Sequence, residues 1–263
     1  TLNDIFMFMC FSKTPALSMT GDCRPFSNAG DGTMLGEGLG MIAIKRLDDA
    51  ERDGDRIYAV LNGVGSSSDG RSKSVYAPVS KGQSMSIDRA YENAGFSPST
   101  VEFVEGHGTG TKAGDAAEFG GLEIAFNNTD REDKQWCALG SVKSQIGHTK
   151  AAAGAAGLFK AVMALQCKSL PPTIKVSEVN DKLDIQNTAF YINTEARPWI
   201  RGSDHPRRAG VSSFGFGGSN FHLALEEYKG ELLADRKRIL SAELVVITGA
   251  NGAAVAKSAR ELA

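Results

Sequence analysis

No run of apolar residues in this sequence approaches the roughly 18 that a membrane-crossing helix needs. The longest candidate, Ala151 to Leu165, is interrupted by two glycines and Lys160. Basic excess is absent too. The 29 Lys and Arg stand against 31 Asp and Glu, a net charge of -2, so there is no electrostatic footprint for nucleic acid. Cysteine is scarce: the four, at 10, 23, 137 and 167, show neither paired nor metal-type spacing. No His-x-x-x-His or Cys-x-x-Cys occurs, which removes the common zinc patterns. With no secretory leader, the expectation is free thiols in a reducing cytoplasm. Short-period repeats and low-complexity tracts are missing as well. An initiator Met is missing from position 1, and the apolar Ile5–Met9 run has little before it to pack against. Residues 252–263 read as a helix that simply stops. Together these ends suggest a stretch of a longer polypeptide.

What is present is an ordinary globular composition, 41% hydrophobic and 23% charged, with 30 glycines clustered at 106–110, 147–157 and 215–218. A short helix and loops are predicted over 1–35. Strands are predicted at Met41–Lys45 (buried), Ile57–Val64, Val101–Glu105, Ala138–Val142, Tyr191–Thr194, Ala209–Phe214 and Asn220–Glu227. Helices are predicted at Gly82–Ala94, Asp115–Phe126 and Thr149–Leu165, the last stopped by Pro171-Pro172. Residues 45–55 read as a charged connection and Ser66–Gly70 as loop. Alternation of strand and helix implies an α/β domain with a largely buried sheet.

Three glycine-rich joins could carry chemistry. Around His148, a strand leads through a turn into a helix of very small residues. Gly154 and Gly157 each cost a helix interior about 1 kcal/mol relative to alanine, tolerable if that helix must approach other backbone closely. Helix N–H groups at the join would favour developing negative charge. Around His107, Glu105-Gly-His-Gly-Thr109-Gly-Thr111 follows a strand end, where α/β sheets place their sites. Thr109 and Thr111 offer two hydroxyls to a polar ligand arm, although one histidine among glycines can equally be a structural turn. Asp115 and Glu118 read first as a capping box. Paired imidazoles without a metal suit hydrogen-bond donation to a carbonyl or enolate oxygen. Lys143 would be a buried cation in need of a partner, with Glu118 the first candidate. The third join, Ser212–Asn220, sets Phe216 among three glycines: a movable ring over a pocket, or a plain hairpin turn. A fourth stretch, Leu244–Lys257, resembles a dinucleotide-binding turn only superficially, since the further glycine that pattern needs is missing.

Taken in order, His-Gly-Thr-Gly-Thr-x-x-Gly-Asp, Val-Lys-Ser-x-x-Gly-His and Ser-Phe-Gly-Phe-Gly-Gly-x-Asn resemble the β-ketoacyl synthase family over about Phe11 to Tyr228. Phe11–Ala16 and Gly54–Tyr58 look most like the multidomain synthases of polyunsaturated fatty acids, and Tyr191–Trp199 like modular polyketide synthases. The resemblance implies a thiolase-like layered fold (α/β/α/β/α), here incomplete. It places the tail of the N-terminal ketosynthase half at 1–56, the C-terminal half at 57–228 and the start of a following linker domain at 229–263. The implied reaction is decarboxylative Claisen condensation of malonyl and acyl thioesters carried on the phosphopantetheine of acyl carrier protein, with no bound cofactor and no metal. A homodimer is implied for the intact parent. His107, His148 and Lys143 would be the catalytic groups, the two histidines stabilising the enolate and Lys143 balancing charge with Glu118. Thr109 and Thr111 would contact the phosphopantetheine arm. Phe216 would gate the pocket beside Gly217, and Asp115, Glu118 and Asn220 would support the site. Gly157 stands where some relatives carry a glutamate. The family's cysteine nucleophile has no match among the four cysteines, so this stretch alone is expected to be inactive. A chain-length-factor-like partner that keeps the fold without the chemistry is the rival reading.

Overall fold

The computed structural model describes residues 1–14, 16–71, 74, 77–129, 131–200, 205–231 and 246–262. The helices are α1 (Ile5–Lys13), α2 (Leu47–Asp53), α3 (Ser80–Ala94), α4 (Lys112–Asn127), α5 (Lys143–Ile146), α6 (Ala153–Cys167) and α7 (Gly252–Leu262). The strands are β1 (Val60–Ser68), β2 (Phe103–Glu105), β3 (Cys137–Gly140), β4 (Ser169–Leu170), β5 (Phe190–Ile192), β6 (Arg197–Pro198), β7 (Arg208–Gly215) and β8 (Ser219–Glu226). Among the described residues, no helix is long and apolar enough to cross a membrane.

One six-stranded sheet, in the order β1-β8-β7-β2-β3-β5, organises the chain. β7, β2, β3 and β5 are parallel, while β8 runs antiparallel to both β7 and β1. The C-terminal ends of β2, β3 and β7 therefore share one edge, and all three glycine-rich joins follow those ends. On one face α3 and α4 bury Ile87, Tyr91, Phe119, Leu122 and Phe126 against Val104, Leu139 and Ala224. The seat of α3 has a sequence cause: its apolar Ile87, Ala90 and Tyr91 recur at helical spacing. A Cβ on Gly63 or Gly65 of β1 would collide with the Ala90 or Ser86 carbonyl, so α3 rests directly on glycine backbone. On the other face α6 sets Ala161, Ala164 and Leu165 against Phe103, Ala209 and Val211. The close approach anticipated for Gly154 and Gly157 is present. Their Cβ atoms would stand 3.3 Å from Ser213 Oγ and 3.2 Å from Glu105 Cγ.

Several local expectations change. Met41–Lys45, predicted to be a buried strand, has no regular structure, and Met41 and Ile44 are 90% and 73% exposed. An apolar run becomes a strand only beside another strand, and none of the described residues pairs with it. The charged connection at 45–55 contains α2, closed by Gly54 in the left-handed region (φ +71). β1 starts at Val60 rather than Ile57 and continues through Ser66–Ser68, predicted as loop, because each of those serines faces a β8 partner. The helix predicted from Thr149 begins at Ala153 after a short 3-10 turn, so His148 precedes its first turn. It ends at Cys167 with left-handed Lys168, before the two prolines are reached. β3 stops at Gly140 and β5 at Ile192. In the C-terminal stretch Leu244 and Val245 lie outside the described residues, 246–249 form no strand, and α7 follows.

Candidate active site

His107 stands two residues beyond β2, and its backbone is gripped from both sides. Its N–H donates to Glu118 Oε1 (2.5 Å), and the next N–H, of Gly108, donates to Glu118 Oε2 (2.7 Å). Its carbonyl accepts from Lys143 Nζ at 2.5 Å. Gly108 has φ +38, and a Cβ there would come within 2.6 Å of Ser141 Cβ, so only glycine lets this loop close on the β3 turn. Asp115 accepts from Phe26 N–H (2.6 Å) and Gly110 N–H (3.1 Å). The capping-box reading of Asp115 and Glu118 therefore fails. Thr111 is the N-cap of α4, accepting from Gly114 N–H at 3.2 Å, and the two carboxylates one helical turn apart tie down loops instead. Phe26, unnoticed in the sequence, adopts φ +59 and forms a fully buried floor, its ring 3.1–3.2 Å from where Cβ atoms of Gly108 and Gly106 would sit.

His148 is held by strand-like contacts to 34–36. Its N–H donates to Met34 O (2.6 Å), and its carbonyl accepts from Gly36 N–H (3.0 Å). Its Nδ1 accepts the Lys150 backbone N–H at 3.0 Å, which leaves the ring proton of the neutral imidazole on Nε2. Lys150 achieves this with φ +56, while its ammonium clamps Gly36 O and Asn3 Oδ1. The His107 and His148 rings meet edge-on, centroids 5.3 Å apart at 85°, and Phe214 flanks His107 at 6.0 Å.

Charge at the site follows burial. Desolvation, then the nearby Lys143 charge, lowers His148 to about 3 and His107 well below the ordinary histidine range, which favours the neutral form of both rings. Burial raises Asp115 to about 7 and shifts Glu118 upward against its backbone hydrogen bonds. Burial also lowers Lys143, opposed first by Glu105 and then by Glu118. The direct partner predicted for Lys143, the Glu118 carboxylate, is not its contact. Both residues hold His107, one at each end of its peptide units.

These groups border a cavity of about 700 Å³. His107, His148, Thr109, Thr111, Phe216, Gly217 and Asn220 line it, and Glu118 reaches it, whereas Lys143 and Asp115 stand behind the wall. The Thr109 and Thr111 hydroxyls are 2.9 Å apart. Phe216, 63% exposed, leans over α1 with its ring 6.2 Å from Phe11. Sequence reasoning missed Asp69, which holds this glycine loop. Its N–H donates to Gly218 O (2.8 Å), and its carboxylate accepts from Asn220 Nδ2 (2.7 Å) and Val79 N–H (3.3 Å). Its only sequence signal was an acidic residue closing a serine run. None of the four cysteines lines the cavity.

The architecture is that of thiolase-like condensing enzymes. Solved structures with this fold include the ketosynthase from module 6 of the bacillaene synthase of Bacillus subtilis, at TM-score 0.84 and 41% identity over 87% of this chain. An oxazolomycin ketosynthase domain of Streptomyces albus matches at TM-score 0.82 and 37% identity, over 87% of this chain and 40% of its own length. The chain belongs to the β-ketoacyl synthase family. Residues 3–50 match the N-terminal domain of that family, 58–177 its C-terminal domain, and 180–263 its C-terminal extension. Among curated relatives, one component of the polyunsaturated fatty acid synthase of Thraustochytrium is 47% identical over 88% of the chain. The polyketide synthase PksL of Bacillus subtilis is 44% identical over the same share. The chain spans 8% and 5% of those two proteins, and about 41% of the bacillaene ketosynthase.

Proposed function

We propose that this chain is part of a β-ketoacyl-acyl carrier protein synthase performing decarboxylative Claisen condensation in fatty acid or polyketide assembly. The observation that carries this is the pair of neutral histidines set edge-on at the wall of the cavity. When a malonyl thioester loses carbon dioxide, the electron pair of the broken C–C bond passes to the α-carbon and is shared with the thioester oxygen. His148 Nε2–H and the His107 ring donate to that oxygen, preorganised in a water-poor site. Burial, reinforced by the Lys143 charge, keeps both rings neutral, so they act as donors and not as acids. The enolate carbon then attacks an acyl thioester carbonyl, and the acyl C–S bond breaks as thiolate leaves. Thr109 and Thr111 bind the phosphopantetheine arm offered by acyl carrier protein, and Phe216 with Gly217 gates its entry.

An acyl-enzyme needs a thiolate beside the histidines. Cys23 is buried with its thiol raised to about 11, donating to Thr109 O, Cys137 is sealed in the sheet, and Cys10 and Cys167 lie outside the cavity that the histidines line. The chain alone should therefore accept no acyl group. Intact-mass spectrometry after incubation with an acyl thioester checks this, and an adduct on any cysteine would overturn it. In the intact parent, His148→Ala should abolish release of carbon dioxide from malonyl thioester. An unchanged rate would remove the enolate role.

A further inference from the structure

Glu105 is 1% exposed and belongs to none of the contacts by which the thioester site was recognised. It is the last residue of β2, two before His107. Its Oε1 accepts the Val142 backbone N–H at 2.6 Å, and its Oε2 lies 2.7 Å from Lys160 Nζ on α6. Val142 is the residue from which α5 starts, and Lys143 is the first residue of α5. Lys143 then reaches back to His107 O. The contacts form a closed circuit, running from Glu105 across to the Lys143 turn and back to the residue two places after Glu105.

A buried carboxylate is costly unless paired. Lys160 supplies the pairing charge from the far side, itself buried among α6, Gly140 and the Phe103 ring, 5.8 Å away. α6 can come this close because residue 157 is glycine. A Cβ there would stand 3.2 Å from Glu105 Cγ and 3.3 Å from Val211 Cγ1, so the Glu105 side chain fills the space a longer residue at 157 would take.

We propose that Glu105 is the positioning residue for Lys143, and that Lys160 is the buried partner that holds the Glu105 carboxylate from the far side. Glu105 fixes the turn that presents Lys143 to His107 and places negative charge behind the ammonium. The charge relation agrees: among the groups opposing the desolvation of Lys143, Glu105 ranks ahead of Glu118. The functional weight of the inference rests on the thioester reading of the histidine pair, but its test does not.

The test follows the titration of Lys143 by NMR in the 263-residue chain carrying isotope-labelled lysine, with the signal assigned through Lys143→Arg. Glu105→Gln keeps the acceptor for Val142 and removes the charge, and should lower the Lys143 midpoint by about one unit or more. Glu118→Gln should lower it less. Because a lone buried Lys160 could unfold the first variant, Glu105→Gln/Lys160→Met supplies a neutral pair, in which the midpoint still falls. Glu105→Ala/Gly157→Glu moves the carboxylate from strand to helix and should restore the midpoint that Glu105→Ala alone depresses. A larger shift with Glu118→Gln would overturn the proposal, and so would a transposed carboxylate that restores nothing. A structural spacer would leave the titration unmoved in the isosteric variants. Decarboxylation by the intact parent is a separate readout, so failure here leaves the histidine reading standing.

Discussion

The two faces of the sheet are built to different standards. Under α3 and α4 the chain packs large rings: Phe126 and Phe190 lie 4.7 Å apart, Phe119 and Tyr91 adjoin them, and all four are essentially sealed from solvent. One polar chain crosses that face fully paired: His222 links Ser212 Oγ and the Tyr91 hydroxyl at 3.0 Å each. Under α6 the sheet-facing side is closed by alanine and glycine, but the outer side of the same helix is also apolar. Phe159 is 66% exposed, and Met163, Ala156 and Ile146 border a groove of about 710 Å³ facing the uncovered 37–42 segment. A helix with apolar residues on opposite sides needs cover on both. One face is therefore complete within the described residues and the other is half complete, although the candidate site draws on both.

The sharpest way to break this comparison is to truncate one ring on each face. Phe126→Ala should cost about 3–5 kcal/mol in denaturant unfolding, since it empties a closed core. Phe159→Ala should stay within about 0.5 kcal/mol, because its ring already meets solvent. Equal losses would mean that the two faces do not differ.

Acid should attack the closed face through His222, which burial holds at about 3. Its folded pKa lies below the unfolded value, so its contribution is present above pH 6.5 and is lost as pH falls toward 3. The loss is about 1.4 kcal/mol per pH unit for one such histidine. Replacing it with glutamine should flatten the slope of stability against pH by one proton; an unaltered slope would show that His222 does not titrate in this way. Asp115 acts in the opposite direction. Raised from 3.8 to about 7, it favours the fold below pH 3.8, and that contribution is lost as pH rises through 7. Asp115→Asn should remove that alkaline loss while retaining one acceptor for Phe26 N–H, as measured by unfolding at about pH 5 and about pH 8.

A smaller effect is expected where the faces meet at the loop over the site. Asp69→Ala removes the acceptor of Asn220 and Val79 and should cost about 1–3 kcal/mol, the range for an unsatisfied buried group. Amide exchange across 215–218 should quicken, whereas protection in β3 should not change. Thr111→Val, which deletes the α4 cap, should cost about 1 kcal/mol and leave the loop over the site alone.

Much of the site was legible because its motifs are local. His107, Thr109, Thr111, His148 and Phe216 each stand within a few residues of glycines that only a tight turn after a strand would need, and the parallel strands bring those turns to one edge. The residues that hold them were not legible. Asp69 lies about 150 positions from Asn220, and Lys160 lies 55 from Glu105, with nothing in either neighbourhood to announce the contact. Asp115 and Glu118 were visible but misassigned, because Asp-x-x-Glu before a helix satisfies a cap as well as it satisfies two distant loops.

The sequence by itself determined the alternation of strand and helix, the three turns, and the residue types that meet there. Apolar period and glycine placement are properties of short segments, and they survive in any fold that uses those segments. Only the tertiary structure decided which carboxylate serves which cation, that Met41–Lys45 stays unpaired, and that His148 carries its proton on Nε2. The first two depend on partners distant in sequence, whose choice burial makes energetically binding, and the third on the folded turn that brings the Lys150 N–H onto Nδ1.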